Sequence, residues 1–300
     1  MDRFLALTVF VAVGEEQSFA AAARRLALSP PAVTRAVSAL EQTLGVKLLH
    51  RTTRIVRLTE AGARYLLDCK RVLSELDDAD QAVAGAQGEI RGTLAITSSV
   101  LFGRLFVAPL LREFLNQHAK VNVRALFVDR VVDLIDEGLD VAVRIAHLPD
   151  ASFTAIRVGA VRNVVCASPA YLKRHGVPRT LEDLKQRAAL CYSADRSPPV
   201  WSFQAGKRTV AVRPRARLVV NSQEVAIQGA IAGEGVTRVL SYQAASDVKA
   251  GRLRVILNEF EPKPIPIHVI HREPKQALTR VRAFVDFAVA ELRENPLLKA

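Results

Sequence analysis

Cysteine is scarce in this chain: Cys69, Cys166 and Cys191 are scattered over 300 residues. Their spacing fits neither a metal-ligand pattern nor a disulfide framework, and a reducing cytoplasm is the natural compartment. Apolar runs long enough to span a bilayer are missing too. The N-terminus, Met1-Asp2-Arg3-Phe4, enters an apolar stretch that Glu15 and Glu16 soon interrupt, unlike a secretory signal. Enzyme signatures are also absent. There is no phosphate loop, nucleophile elbow, HExxH or paired-glycine fingerprint; Gly233 and Gly235 form a lone GxG after a helix rather than opening one. No catalytic residue, metal site or cofactor is expected.

What is present points to two domains. The length suits a small N-terminal module plus a larger globular part, and 50% hydrophobic residues supply a core. A net charge of +12 and a pI near 10.1 favour a polyanionic partner such as nucleic acid, although a basic protein without one has the same composition.

Three helical patterns open the chain. Phe4, Leu7, Phe10 and Val11 share one helix face. Ser18 is placed to cap a helix over residues 19–26 with Phe19, Ala22, Ala23 and Leu26 inward. Ser29 can cap a third, whose Pro30 and Pro31 are tolerated where the first N–H groups lack partners. There Val33, Val37, Leu40 and Leu44 recur at helical spacing until Gly45. The opposite face presents Thr34, Arg35 and Ser38 near the helix start, the end by which a recognition helix enters the major groove. Free N–H groups there would also face phosphate. Arg35 is the best base reader, because a guanidinium can grip the O6/N7 edge of guanine. A plain amphipathic hairpin with a solvated face has the same pattern.

From Lys47 to Leu58 two short extended pieces flank a basic tip with no acidic residue. A wing of this kind would set Arg51 and Arg54 against the backbone or minor groove; a solvated charge run is the alternative. The runs Ser18-Phe19-Ala20-Ala21-Ala22-Ala23-Arg24-Arg25-Leu26, Leu28-Ser29-Pro30-Pro31-Ala32-Val33-Thr34-Arg35, Leu40-Glu41-x-x-Leu44-Gly45-Val46-x-Leu48-Leu49-x-Arg51 and Leu58-Thr59-Glu60-Ala61-Gly62 together resemble the LysR-type transcriptional regulators. Pro30 stands where that family often has Gln or Ser, so no base contact is inherited at this position. Thr34 replaces a frequent serine and keeps the hydroxyl. The candidate DNA-binding residues are Ser18, Ser29, Pro31, Thr34, Arg35, Ser38, Arg51 and Arg54.

Thr59 to about Gln87 reads as one long helix whose Leu66, Leu73, Leu76 and Val83 form an apolar stripe. Packing against a twin helix is expected, and the resemblance implies a homodimer, with tetramers common among relatives. Packing on the chain's own next domain is the alternative. Cys69 is expected to be a small buried residue.

Beyond Gly88 strands alternate with helices. Strands are expected at 94–97, 121–128, 141–145, 161–167, 218–220, 236–240 and 265–270. Helices are expected at 105–117, 131–137, 181–186, 223–232 and 276–293. The alternation argues for α/β structure with mainly parallel pairing, in two lobes joined by crossings near 161–167 and 261–267. The order resembles the effector-binding domain of the same family, itself similar to periplasmic solute-binding proteins. Leu181-Glu182-Asp183-Leu184, Ala230-Ile231-Ala232-Gly233-Glu234-Gly235-Val236 and Ala250-Gly251-Arg252-Leu253 occupy the expected places, while Thr237-Arg238-Val239-Leu240-Ser241 departs from a more apolar run with proline. The fold expected is a winged helix-turn-helix domain (1–58), a linker helix (59–87) and a two-lobed α/β domain (88–300).

Ligands of open α/β sheets bind beyond the carboxyl ends of strands. Thr97, Ser98 and Ser99 end the first strand before a helix, a seat for a carboxylate or other small anion. Serines simply capping that helix fit equally. Later strand ends nominate Val128, Ala146, His147, Asn221 and Thr237 for a small organic effector. His268 and His271, three apart on a strand, point to opposite faces, which disfavours a metal site. Cys166 and Cys191 as a peroxide sensor compete with buried inert thiols, and Trp201 and Phe203 read as core or cleft wall. The composite role is a ligand-responsive regulator on promoter DNA, in the cytoplasm and off the membrane. An enzyme on the α/β domain lacks a motif, and a sequence-neutral architectural binder would explain the charge but not a two-lobed cleft.

Overall fold

The first helix, α1 (Arg3–Glu16), starts where the Asp2 carboxylate accepts the Phe4 N–H, and ends at Gln17 in a left-handed conformation. The computed structural model describes residues 2–51, 56–83, 90–148, 154–194, 197–271 and 279–300. These form two compact units, Met1–Gly92 with Val132–Leu139 and Thr93–Val131 with Asp140–Ala300.

In the first unit α1 is central. It packs against α2 (Phe19–Arg25), α3 (Pro30–Leu44) and α4 (Glu60–Val83), so a wide arc is buried: Ala6, Leu7, Val9, Phe10, Ala12 and Val13. The single stripe expected from Phe4, Leu7, Phe10 and Val11 is therefore too narrow, and Phe4 is left exposed. Ser18 caps α2 by accepting the Ala21 N–H at 3.2 Å. Between α3 and α4 lie β1 (Leu49–Arg51) and β2 (Val56–Leu58), antiparallel with Leu49 opposite Leu58 and His50 opposite Arg57.

One buried carboxylate fixes this wing to α3. Glu41 is 3% exposed, and its Oε1 accepts the N–H groups of Leu48 at 2.9 Å and Leu49 at 3.1 Å. Its Oε2 takes Lys47 Nζ at 2.9 Å. Thr59 then starts α4: its hydroxyl donates to the Lys47 carbonyl at 2.8 Å and accepts the Gly62 N–H at 2.9 Å. Gly62 must lack a side chain, since a Cβ would meet the Leu48 carbonyl oxygen at 1.9 Å. The first half of α4 belongs to this core. Leu66 and Cys69 are buried in it, Leu73 packs on it, and Lys70 reaches Glu15 at 2.6 Å. The stripe expected to meet a twin helix is thus divided: Leu66 and Leu73 face the chain's own module, while Leu76 is exposed. The expected end of this helix near Gln87 lies outside the described residues.

In the second unit, β3 (Gly92–Ser98) leads into α5 (Val100–Phe102), a π-helical stretch (Gly103–Val107) and α6 (Ala108–Gln117). Then come β4 (Val121–Phe127), β5 (Val141–Ile145) and β6 (Thr154–Val161). The second lobe comprises β7 (Asn163–Ala167), α7 (Pro169–His175), α8 (Leu181–Lys185), β8 (Ala188–Tyr192), the hairpin β9 (Trp201–Ala205) and β10 (Arg208–Val212), β11 (Arg215–Val220), α9 (Gln223–Ile231), β12 (Val236–Leu240), α10 (Ser241–Lys249) and β13 (Arg254–Ile256). The chain returns to the first lobe with β14 (Ile265–His271) and α11 (Thr279–Glu294), whose expected start at Gln276 lies outside the described residues.

The sheets run β4-β3-β5-β14-β6 and β11-β8-β12-β7-β13. The two expected crossings are there, at Arg162 and over residues 257–264. Pairing is mixed rather than mainly parallel. Strands that enter from the other lobe, β7 and β14, run against their neighbours, while β3 with β5 and β8 with β11 and β12 remain parallel. The helix expected at 131–137 is cut to turns: the Asp133 carboxylate caps the N–H groups of Ile135 at 2.7 Å and Asp136 at 3.0 Å, and Gly138, at φ +59°, follows at once. Trp201 and Phe203 are core residues between the second sheet and its hairpin. Gly233, at φ +80°, ends α9, and a Cβ on Gly235 would sit 2.5 Å from the Ala188 carbonyl oxygen. The GxG is packing geometry.

Replacing Glu41 with Ala strands two buried N–H groups; unfolding free energy should fall by roughly 2–4 kcal/mol in urea titrations followed by circular dichroism. Glu41→Gln, which keeps one acceptor oxygen, should lose less.

Candidate nucleic-acid interface and ligand cleft

The two prolines at the start of α3 change what that helix end can offer. A serine at the cap position bonds the N–H of the second or third helical residue. Pro31 has none, and the Ala32 N–H goes to the Ser29 carbonyl at 2.9 Å. Ser29 therefore makes no side-chain cap, contrary to expectation, and its hydroxyl stays at the surface. The row of free N–H groups expected to face phosphate is lost for the same reason: Pro30 and Pro31 carry none, and Ala32 and Val33 both donate to Ser29. What this end presents is side chains. Pro31, Thr34 and Arg35 are exposed, and Ser38 is half-buried. The Thr34 hydroxyl donates to the Pro30 carbonyl at 3.0 Å, so only its lone pairs face outward. Arg35 enters no ion pair among the described residues, whereas Arg25 is held by Glu15 at 2.7 Å and Glu16 at 3.3 Å.

On the wing, Arg51 ends β1 opposite Val56; its side chain and all of Arg54 lie outside the described residues. His50 and Arg57 are paired across the ladder and both exposed. They were missed as candidates, although strand alternation gives them away: with Leu49 and Leu58 inward, the residues beside them face out.

The charge balance also needs redistribution. Beyond Gly92 there are 30 Lys and Arg against 19 Asp and Glu, a net +11, which leaves +1 for the first 92 residues. The stretch 163–256 alone holds 15 basic and 6 acidic residues. The excess that suggested nucleic acid is carried by the second unit.

In that unit the strand ends meet between the lobes, and the expected anion seat is filled by the protein itself. The N–H of Val100, the first residue of α5, donates to the Asp129 carboxylate at 2.9 Å. Asp129 also bonds the Tyr192 hydroxyl at the end of β8; burial first, then the charge and hydrogen bond of Asp129, push that phenol up to about 12. Tyr242 of α10 lies edge-on to Phe102 and Phe106, with centroids at 5.5 and 5.4 Å. Burial, the largest cause, raises its pKa. Arg104 and Glu224 form a further ion pair across the lobes at 2.5 Å. None of these residues was among the candidates, since only the fold brings them together.

The nominated residues are placed unevenly. Thr97 and Thr237 are fully buried with their hydroxyls engaged: Thr97 accepts Arg144 Nη2 at 3.0 Å, and Thr237 donates to the Leu190 carbonyl at 2.9 Å. Ser98 is buried with its hydroxyl unpartnered, while its carbonyl takes the Val128 N–H at 2.9 Å. Ser99 caps no N–H with its side chain but bonds Tyr242. Val128 and Ala146 are half-buried; His147 and Asn221 are exposed. Cys166 and Cys191 lie on opposite faces of the second sheet, in separate clusters, with burial pushing their thiols up to about 12 and about 11. A direct disulfide between them is ruled out by that placement. Among the described residues no helix is long and apolar enough to cross a membrane.

Comparisons with known proteins fit this layout. Residues 4–63 match the family model described as bacterial regulatory helix-turn-helix protein, lysR family, and residues 87–293 match the LysR substrate binding domain. An HTH-type transcriptional repressor of Pseudomonas aeruginosa is 31% identical over 99% of this chain and 94% of its own length. The HTH-type transcriptional activator AaeR of Escherichia coli is 31% identical over 95% of this chain and 93% of its own. The solved structure of CrgA, a LysR-type transcriptional regulator from Neisseria meningitidis, superposes with a TM-score of 0.62 at 30% identity, covering 97% of this chain and 99% of that one.

If Asp129 is the internal occupant of the seat, Asp129→Ala should lower unfolding free energy by about 1–3 kcal/mol. Asp129→Asn should recover part of that, because its carbonyl still accepts from Val100. Denaturant titration of both variants measures the difference.

Proposed function

The chain belongs to the LysR family of transcriptional regulators, and from that premise we propose how its own residues read DNA and answer a ligand. It is a DNA-binding transcriptional regulator with an effector-binding domain, not an enzyme. Its working divisions are the DNA-reading module (1–58), the linker (59–87) and the effector domain (88–300). In the module, α3 enters the major groove and Arg35 reads a base edge. The observation that supports this role is an exposed guanidinium near the start of the recognition helix with no ion pair among the described residues. Ser18, Ser29, Pro31, Thr34 and Ser38 set the helix on the backbone, and Arg51 and Arg54 serve the wing. Two copies joined through the linker helices present two such heads to a two-fold symmetric promoter site, in the cytoplasm where that DNA is, and pairs of dimers form the tetramer.

A small organic effector, anionic in keeping with the net +11 beyond Gly92, enters between the lobes at the strand ends. Ser98, Ser99, Val128, Ala146, His147 and Asn221 line its site, with Thr97 and Thr237 supporting the walls. The effector acts by binding one arrangement of the lobes more tightly than another. The relatives include both a repressor and an activator, so the sign of regulation does not follow from the fold.

Fluorescence anisotropy with the chain's own promoter region against shuffled DNA tests the reader. Arg35→Ala should cost about 1–3 kcal/mol of discrimination at one base of each half-site. Uniform weakening on all sequences would instead make Arg35 a phosphate contact.

A further inference from the structure

Arg238 sits where the fold calls for an apolar residue. Its neighbours in β12, Val236 and Val239, belong to clusters on opposite faces of the second sheet. By alternation Arg238 shares the Val236 face, together with Val165, its partner across the ladder, and Phe203 of the hairpin. Its guanidinium carbon lies 5.6 Å from the Phe203 ring centroid, and Nη2 donates to the Ser202 carbonyl at 3.0 Å. Nε is buried without a partner. No carboxylate of the described residues pairs with it, and burial alone pulls its pKa down to about 10. The stretch 163–256 in which it lies holds 15 basic against 6 acidic residues. A desolvated cation with spare, forked donors is costly for stability and suited to binding a planar oxyanion.

Within the effector site proposed above, the α5 end cannot be where the ligand's charge is held. The start of α5 already holds the Asp129 carboxylate, which would repel a second one. We propose that Arg238 is the receptor for a small organic carboxylate, held beneath the β9–β10 hairpin with the guanidinium on one side and the Phe203 ring beside it. This assignment rests on the ligand-responsive role given above and names the chemical class that role takes.

Trp201, the only tryptophan, adjoins Ser202 and reports on this site. The full-length chain is titrated with acetate, propionate and benzoate, and with benzamide as the uncharged match to benzoate, while Trp201 emission is followed. A saturable change is expected with a carboxylate and not with benzamide. Arg238→Met should weaken that binding roughly tenfold or more, and Arg238→Lys, which keeps charge but not the fork, should fall between. Three results overturn the assignment: no saturable change with any of the three acids, an equal response to benzamide, or unchanged affinity in Arg238→Met. Were Arg238→Met to misfold, the benzoate and benzamide pair on the native chain and the Arg238→Lys titration still decide. Promoter binding in the presence of the same acids separates the two claims. An acid that binds through Arg238 yet leaves promoter binding unmoved removes the regulatory role and keeps the site. A promoter response that survives in both variants removes the site and keeps the role.

Discussion

Both lobes of the second unit hang on the peptide of Arg162. Its N–H donates to the Ser241 hydroxyl at 3.2 Å, its carbonyl accepts the Ser241 N–H at 2.8 Å, and its guanidinium grips Glu261 at 2.9 and 3.2 Å. The first crossing, the start of α10 and the second crossing are thereby tied at one point. The strands that enter from the other lobe, β7 and β14, each stand fourth in a five-stranded sheet and run against both neighbours. Across the lobes Asp129 meets Tyr192, and Phe102 meets Tyr242.

The interlobe contacts differ in worth. Arg104 and Glu224 are about half exposed, and a pair of that kind contributes about 0–1 kcal/mol. The buried Tyr242 ring between two phenylalanines and the shared carboxylate of Asp129 hold more firmly, since separating the lobes exposes apolar surface and takes the Tyr192 hydroxyl from its acceptor. A ligand between the lobes shifts their arrangement only by its difference in affinity for the two states. Reversing a hundredfold bias takes about 5.5 kcal/mol. Few contacts and a small molecule are commensurate with that figure only if the resting bias is modest, as a set of scattered latches provides.

What could be read from the sequence was local. Ser18 as a cap, Gly45 as a helix stop, the wing strands and the ends of β5, α9 and β12 follow from side-chain spacing and cap chemistry that act within a few residues. Ser29 escaped because its capping depends on which later residue owns an N–H. Asp133 starts its segment with cap bonds, and Gly138 ends it before a helix can run. Strand polarity, Asp129 beside Tyr192, and Arg238 over Phe203 depend on residues tens of positions apart, and no spacing rule reaches them. Net charge pointed to the right partner but not to the surface that meets it, since a whole-chain sum says nothing about where the charges lie.

That distribution bears on how DNA is held. Counterion release scales with the phosphates a protein neutralises, and residues 1–58, with 8 basic against 4 acidic side chains, offer only a modest general attraction. The linker helix works against attraction, for acids outnumber bases from Glu60 to Asp80. The prolines of α3 remove backbone donors from the same surface. In the proposed dimer, affinity comes from a few side chains used twice, once per subunit, with the second contact made effectively intramolecular. A head of this kind binds weakly alone and strongly as a pair set at the correct spacing.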